Sequence, residues 1–318
     1  MLYDKDSSHP LGVRNDRGIM DNDGYAGFGC DTCFDNTKVT ERGNPFMIKK
    51  IFICAMLILF IFSNATFAFS KETINGIGVK AVQDVVDKIG RSFVKKNPNV
   101  AIKTKEDKVS SAIEFVAKGK PGSTFGMINR PLNDEEKSKY PDIQTFIFAQ
   151  DGVALIVHPS NPVNAITSAQ LKDILKGKIT DWSQLGGNKG VVSMIIREKA
   201  SNQRAAFDKL VMGKDKIGVG KAREISSMGD VKAEVAFDKA AMGYILISAL
   251  DKKVKALEID GVAPTINNLK AGAYPINIPF YLITNGKPQG SVKTFIDFIQ
   301  SEEGQKLVEK EKIASVKH

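Results

Sequence analysis

The stretch Met194–Leu210, MIIREKASNQRAAFDKL, holds the residues best suited to chemistry, and that chemistry is the holding of an anion. Met194, Ile195 and Ile196 read as a buried strand that ends in Arg197. Glu198, Lys199 and Ala200 make a turn, and Ser201 is an N-cap for a helix continued by Arg204, Ala205, Ala206, Phe207 and Leu210. The first N–H groups of such a helix lack intrahelical partners and carry the positive end of its dipole. An arginine fork beside them adds a two-pronged donor, so the pattern predicts an oxyanion site. The same residues also fit a solvated strand-end charge followed by an ordinary cap, and the stretch alone leaves both readings open.

Other chemistries have fewer residues to draw on. Beyond residue 70 the only histidines are His158 and His318, no G-x-S-x-G elbow occurs, and no metal-ligand spacing is visible. The expectation is a protein that is not an enzyme and uses neither metal nor cofactor. His158, after an apolar strand and before Pro159, reads as a hinge-side structural residue, and Trp182 as a loop anchor. Cys30, Cys33 and Cys54 all precede residue 70, so no disulfide is expected after it, and Cys30 and Cys33 are a lone C-x-x-C. The net charge is +9, with lysines scattered among acids as in Lys103–Lys108 and Lys306–Lys312. No dense basic run with interleaved aromatics is present, which argues against nucleic acid as a partner, while a mild positive field would gather small anions.

The elements that must position this site follow an uneven start. Met1–Phe46 is rich in Asp, Asn and Gly with little periodicity. Then come Lys49, Lys50, an unbroken apolar run over Ile51–Phe62, and small or polar residues to Ser70. That order describes a secretory signal peptide over residues 47–70, with cleavage after Ala68 or Ser70. The run is shorter than the about 20 residues a membrane span requires. Signal peptides begin at the N-terminus, so Met47 is expected to be the true start and 1–46 a non-native or disordered leader. A cytoplasmic tail with an uncleaved anchor is the competing reading. The protein is therefore expected in the periplasm.

Lys71–His318 is long enough for one large domain or two lobes. Strands are predicted at Glu72–Ile77, Val100–Thr104, Ser123–Asn129, Val191–Ile196, Met242–Ser248, Val254–Ile259 and Pro279–Thr284. Ile143–Ala149 and Val153–Val157 read as two further apolar runs split by Asp151 and Gly152. Helical faces are marked by Val79–Phe93, Ser110–Ala117, Thr167–Leu175, Ser291–Ile299 and Glu302–Glu309. Asn133–Pro141 reads as a polar connection. This alternation predicts an α/β fold with largely parallel sheets.

Several motifs in order resemble the periplasmic phosphate-binding proteins of ABC transporters. They are Asp151–Pro162 (DGVALIVHPSNP), Leu171–Trp182 (LKDILKGKITDW), Arg197-Glu198 with Arg204–Phe207, Met242-Gly243-Tyr244, Asp260–Thr265, Tyr274-Pro275, Pro279–Thr284 and Phe295–Ile299. The resemblance implies a two-lobed periplasmic-binding-protein-like fold of type II, closing on its ligand about two hinge crossings near Asp151–Val157 and Ile276–Tyr281. Lobe one would be 71–150 plus 276–318, and lobe two 151–275. It further implies a monomeric receptor for inorganic phosphate or a similar oxyanion, delivering it to an ABC permease.

The resemblance also implies where the ligand is held. In the family an arginine, then a serine four positions on, then glycine and threonine grip the oxyanion; here Arg197, Ser201, Asn202 and Gln203 stand in those places. A Gly-Ser-Thr-type loop reads Asn75-Gly76-Ile77-Gly78-Val79, with Gly76, Ile77 and Gly78 offering backbone donors and no hydroxyl. A Gly-Gly-Ser-Gly-type loop reads Lys105–Ser111, without glycine but with Ser110. Before Arg130, Thr124 takes the place of an aspartate that accepts the phosphate proton, and Asn129 replaces a serine. Losing that carboxylate would leave only slight preference for phosphate over sulfate. The thinned lobe-one loops keep a second reading alive, a binding-protein scaffold that serves as a sensor or partner-binding module without transport.

Overall fold

The computed structural model of the protein describes residues 71–218 and 222–316. The leader (1–46) and the signal segment (47–70) lie outside the described residues. The chain begins as a run of strand–helix units: β1 (Glu72–Gly78), α1 (Lys80–Lys96), β2 (Val100–Glu106), α2 (Val109–Lys118), β3 (Thr124–Ile128) and α3 (Asp134–Lys139). The long β4 (Ile143–Val157) follows, then β5 (Ala165–Ile166) and α4 (Ser168–Leu175). Next come β6 (Ser193–Arg197), α5 (Asn202–Val211), β7 (Arg223–Ile225), α6 (Met228–Phe237) and β8 (Ala241–Leu246). β9 (Lys255–Ala256), β10 (Glu258–Ile259) and α7 (Ile266–Lys270) lead to β11 (Asn277–Asn285), α8 (Gly290–Gln300), α9 (Glu302–Lys310) and β12 (Ala314–Ser315).

The main sheet runs in the order β2-β1-β3-β11-β4-β8-β6-β7. β1, β2 and β3 are parallel, as are β8, β6 and β7, while β4 and β11 run antiparallel to their neighbours between the two sets. Two parallel α/β halves thus share one pair of central strands, which is the two-lobed architecture. Each parallel strand feeds a helix at its C-terminal end, so that end of each half presents helix N-termini, the place where α/β sheets hold ligands.

β4 differs from the expected pair of strands. It is one 15-residue strand that runs straight through Asp151. Its first part pairs with β11 up to Gly152↔Asn277, and its last part pairs with β8 from Val153↔Leu246. A fully buried aspartate does not break it because the carboxylate is satisfied. Oδ1 accepts from the Gly152 N–H at 2.7 Å and the Ser248 N–H at 3.3 Å, and Oδ2 accepts from the Ser248 hydroxyl at 2.6 Å. Local chemistry explains two other departures. The polar connection after Asn133 contains α3, closed by a capping box between Asn133 and Glu136. α6 was not foreseen because it buries only Val231 and Val235, too few for a readable stripe.

The cores follow the expected faces. Val82, Val85, Val86, Ile89 and Phe93 of α1 are buried, and Phe93 meets Phe295 of α8 edge-on at 5.2 Å. Each such side chain removed from water contributes about 1.5–3 kcal/mol. In the other lobe Phe207 of α5 stacks on Tyr244 of β8 at 4.0 Å, fixing the helix against the sheet beside Arg197.

Candidate functional site

The strand–turn–helix read from Met194–Leu210 folds as expected. β6 ends at Arg197, Ser201 accepts from the Arg204 N–H at 3.3 Å as N-cap, and α5 begins at Asn202. Arg204 is buried and works on the scaffold. Its Nε donates to both carboxylate oxygens of Asp208 at 2.7 Å, and its Nη1 donates to the Arg197 carbonyl at 2.7 Å, locking the helix start to the strand end. The Tyr244 hydroxyl accepts from the Arg197 N–H at 3.2 Å, and burial pushes this phenol well above its usual range.

Arg197 lies in a cavity of about 590 Å³ together with Ser201, Asn202 and Gln203. Its guanidinium is not a bare charge. Nε and Nη2 donate to the Glu198 carboxylate at 3.2 and 3.1 Å, Nη2 donates to the Ser226 carbonyl at 2.7 Å, and Nη1 donates to Gln203 Oε1 at 3.1 Å. Burial opposes ionisation of Glu198, but the Arg197 bonds and its own backbone N–H outweigh it and hold the carboxyl below its usual range. Arg197 is thus an ion pair with donor capacity left over, rather than a solvated strand-end charge.

The opposite wall of this cavity comes from lobe one. Val79, which precedes α1, and Asn129, which follows β3, line it. α6 also points its start here through Ser227, which caps it by accepting from the Asp230 N–H at 3.2 Å. Three helix N-termini, of α1, α5 and α6, thus meet at one cavity, and their dipoles add in favour of negative charge. α1 begins without a side-chain cap, which leaves its first N–H groups open. Asn129 is only 6% exposed and lines this cavity, and among the described residues its carboxamide has no side-chain hydrogen-bond partner, which leaves it to donate and accept.

A second cavity of about 540 Å³ adjoins the first through Asn129, Asn202 and Ile278. Lys108, Ser110, Arg130 and Lys209 line it, and α2 opens onto it, again without a side-chain cap. Arg130 is committed there: Nη1 and Nη2 each donate to Glu136 at 2.7 Å, which holds the Glu136 carboxyl below its usual range.

The residues predicted from sequence fall into three groups. Arg197, Ser201, Asn202, Gln203 and Asn129 share the first cavity; Ser110 and Arg130 line the second. Gly76, Ile77, Gly78 and Thr124 reach neither. Gly76 is buried within β1, where a Cβ would strike the Phe125 ring, and Ile77 is the next strand residue. A Cβ on Gly78 would overlap the Met127 carbonyl, and Val79 carries the turn into the cleft instead. Thr124 opens β3, at the end of the strand opposite Asn129, and its hydroxyl donates to the Lys120 carbonyl at 3.2 Å. At about 3.3 Å per residue the strand carries it roughly 15 Å from the cleft end, so it cannot read a bound anion's proton. Asn129 is the residue that stands at the cleft end of this strand. Glu198, Ser226 and Ser227 were missed; Ser227 with Asp230 three residues on was the readable signal of a helix start.

Among the described residues no group of three or more His, Cys, Asp or Glu is placed to hold a metal ion, and no helix is long and apolar enough to cross a membrane. What the cleft can do chemically is bind a small anion between backbone donors.

Comparison with known proteins agrees with this geometry. A family model described as a PBP superfamily domain matches residues 63–303. The phosphate-binding protein PstS of Bacillus subtilis is 31% identical over 254 residues, covering 77% of this chain and 82% of that protein. A structure from Clostridium perfringens, described as a phosphate ABC transporter substrate-binding protein with bound phosphate, is 35% identical with a TM-score of 0.69, covering 77% of this chain and 100% of the other. An ABC-type phosphate transport receptor from Vibrio cholerae is 27% identical with a TM-score of 0.68, covering 76% of this chain and all of that one. The fold, the helix N-termini gathered on one cleft and these likenesses together place the chain in the PBP superfamily, among the homologues of the phosphate-binding proteins PstS.

Proposed function

We propose that the protein is an exported receptor that captures inorganic phosphate, or a closely related small oxyanion, and hands it to an ABC permease. The observation that carries this reading is the meeting of Arg197 and the Ser201–Gln203 helix start with Val79 and Asn129 across one cavity. Lobe two, 151–275, supplies the charge; lobe one, 71–150 with 276–318, closes over it with backbone N–H groups and the Asn129 carboxamide. That carboxamide donates to a charged oxygen through Nδ2 and accepts a ligand proton through Oδ1, so it serves phosphate in either protonation state. The protein acts as a monomer that docks on the permease after closure, and performs no chemistry on the ligand. Calorimetric titration of the chain from Lys71 with phosphate, sulfate and methylphosphonate tests this. Saturable phosphate binding is the expected result, and no heat with any anion at millimolar concentration would sink it.

One observation favours the second reading, a binding scaffold without transport. In the first cavity lobe one offers no side-chain hydroxyl, and Asp84, Glu106 and Glu311 lie among its lining residues. Absence of anion binding in the same titration would leave this reading standing. Export is proposed to use residues 47–70 as a cleaved signal peptide, with Met47 as the start. N-terminal sequencing of the exported protein checks both, and a mature chain retaining residues before Met47 would refute them.

A further inference from the structure

Arg197 sits in the cleft with most of its donors taken. A guanidinium has five N–H groups. Two go to Glu198, one to the Ser226 carbonyl and one to Gln203 Oε1 at 3.1 Å, which leaves one uncommitted. These partners are not equivalent. Glu198 is the adjacent residue and an ion-pair partner, and the Ser226 carbonyl is main chain, so neither leaves without a larger rearrangement. Gln203 is a neutral side chain on the first turn of α5, and its other contact is weak: Nε2 lies 3.7 Å from the Met228 sulfur. Its carbonyl oxygen therefore takes, on the guanidinium, the position an anion oxygen would take, and does so within the cavity that Ser201 and Asn202 also line.

We infer that the Gln203 carboxamide is a tethered stand-in for the ligand, and that it sets the receptor's affinity by competing with the anion for Arg197. This deepens the function proposed above and rests on it. A full negative charge outcompetes a neutral amide oxygen for the guanidinium, so the anion wins at sufficient concentration. To take both N–H groups of Nη1, rather than the single one left free, it must break the Arg197–Gln203 bond and turn the glutamine to a new rotamer. Gln203 thus opposes binding through its side chain while its backbone N–H, at the helix start, supports it. A side chain that donated to the ligand instead would predict the opposite sign.

The test is calorimetric titration of inorganic phosphate into the parent, Gln203→Ala and Gln203→Glu, with thermal melts to confirm folding. Truncation to alanine should tighten binding about tenfold, the worth of a single hydrogen bond to a charged group. Gln203→Glu tethers a charge to the same donor and should weaken binding more than tenfold relative to the parent. Should the alanine variant fail to fold, Gln203→Met keeps the volume without the amide and should tighten binding in the same way. Phosphate binding by the parent that is unchanged or weakened in Gln203→Ala overturns this inference and leaves the receptor reading intact. Binding by none of the proteins overturns the receptor reading and this inference with it.

Discussion

The two walls of the cleft are built on different principles. Lobe two presents a side-chain cation, Arg197, and two helices whose starts are already closed by serines, Ser201 and Ser227. Lobe one presents α1 and α2, whose starts have no side-chain cap, the buried amide of Asn129, and lysines already paired with carboxylates, Lys80 with Asp84 and Lys88 with Glu311. The lobe-two wall therefore engages the anion through the Arg197 cation, and the lobe-one wall, its lysines spent on carboxylates, through main-chain N–H groups whose usual partners are missing. The charged wall is specific to sequence and easily damaged. The other depends on backbone path, and few single side-chain changes can weaken it.

The join between the walls should give the largest response. Asp151 is fully buried where β4 passes from one lobe to the other, and burial raises its pKa from 3.8 to about 6 against the hydrogen bonds from Ser248 and Gly152. Since the folded value lies above the unfolded one, the folded chain holds this proton more tightly. The group's contribution to stability is full below pH 3.8 and is lost as pH rises through 6. Between pH 4 and 7 the parent should lose on the order of 3 kcal/mol relative to Asp151→Asn. Urea unfolding of both proteins across that range checks it, and parallel pH profiles would count against it.

On the charged wall, Arg197→Ala removes the guanidinium and leaves Glu198 facing the ligand without its partner. Phosphate binding should weaken by about 2 kcal/mol or more, roughly 30-fold, in a calorimetric titration. On the lobe-one wall, Asn129→Ala should cost less, about 1 kcal/mol or roughly fivefold, because a single uncharged group is lost. Equal losses from these two substitutions would abolish the contrast between the walls. Thr124→Asp should do least. Its place at the far end of β3 predicts a phosphate-to-sulfate ratio unchanged within about twofold, the precision of competition titrations on this scale. A clear shift toward phosphate would mean that Thr124 lies near the ligand after all.

Much of the scaffold was legible because its signals are local. Val82, Val85, Val86, Ile89 and Phe93 repeat at helical spacing, and Thr167 with Gln170 spells a capping box. The charged wall was legible for the same reason, since Arg197, the Ser201 cap and Phe207 lie within eleven residues of chain. What stayed hidden depends on partners far away in sequence. Asp151 looked like a strand breaker because nothing near it in the chain announces Ser248, which satisfies it. Thr124 was matched by position within a motif, whereas its distance from the cleft depends on which end of β3 meets the ligand. The compensation of Arg197 by Ser226 likewise requires β7 and α6 to fold back beside β6.

Gly78 limits how this part of the chain can vary. Its backbone packs so closely on β3 that any side chain there would overlap the Met127 carbonyl, the same carbonyl that accepts from the Val79 N–H at 3.0 Å. A hydroxyl-bearing residue cannot be introduced at this point by one substitution, because β3 would first have to withdraw and release that bond. Such a variant would be less stable than the parent, so ordinary selection for a folded chain would remove it. Change on the lobe-one side of the cleft therefore falls to residues that line it, such as Val79 and Asn129, rather than to Gly78.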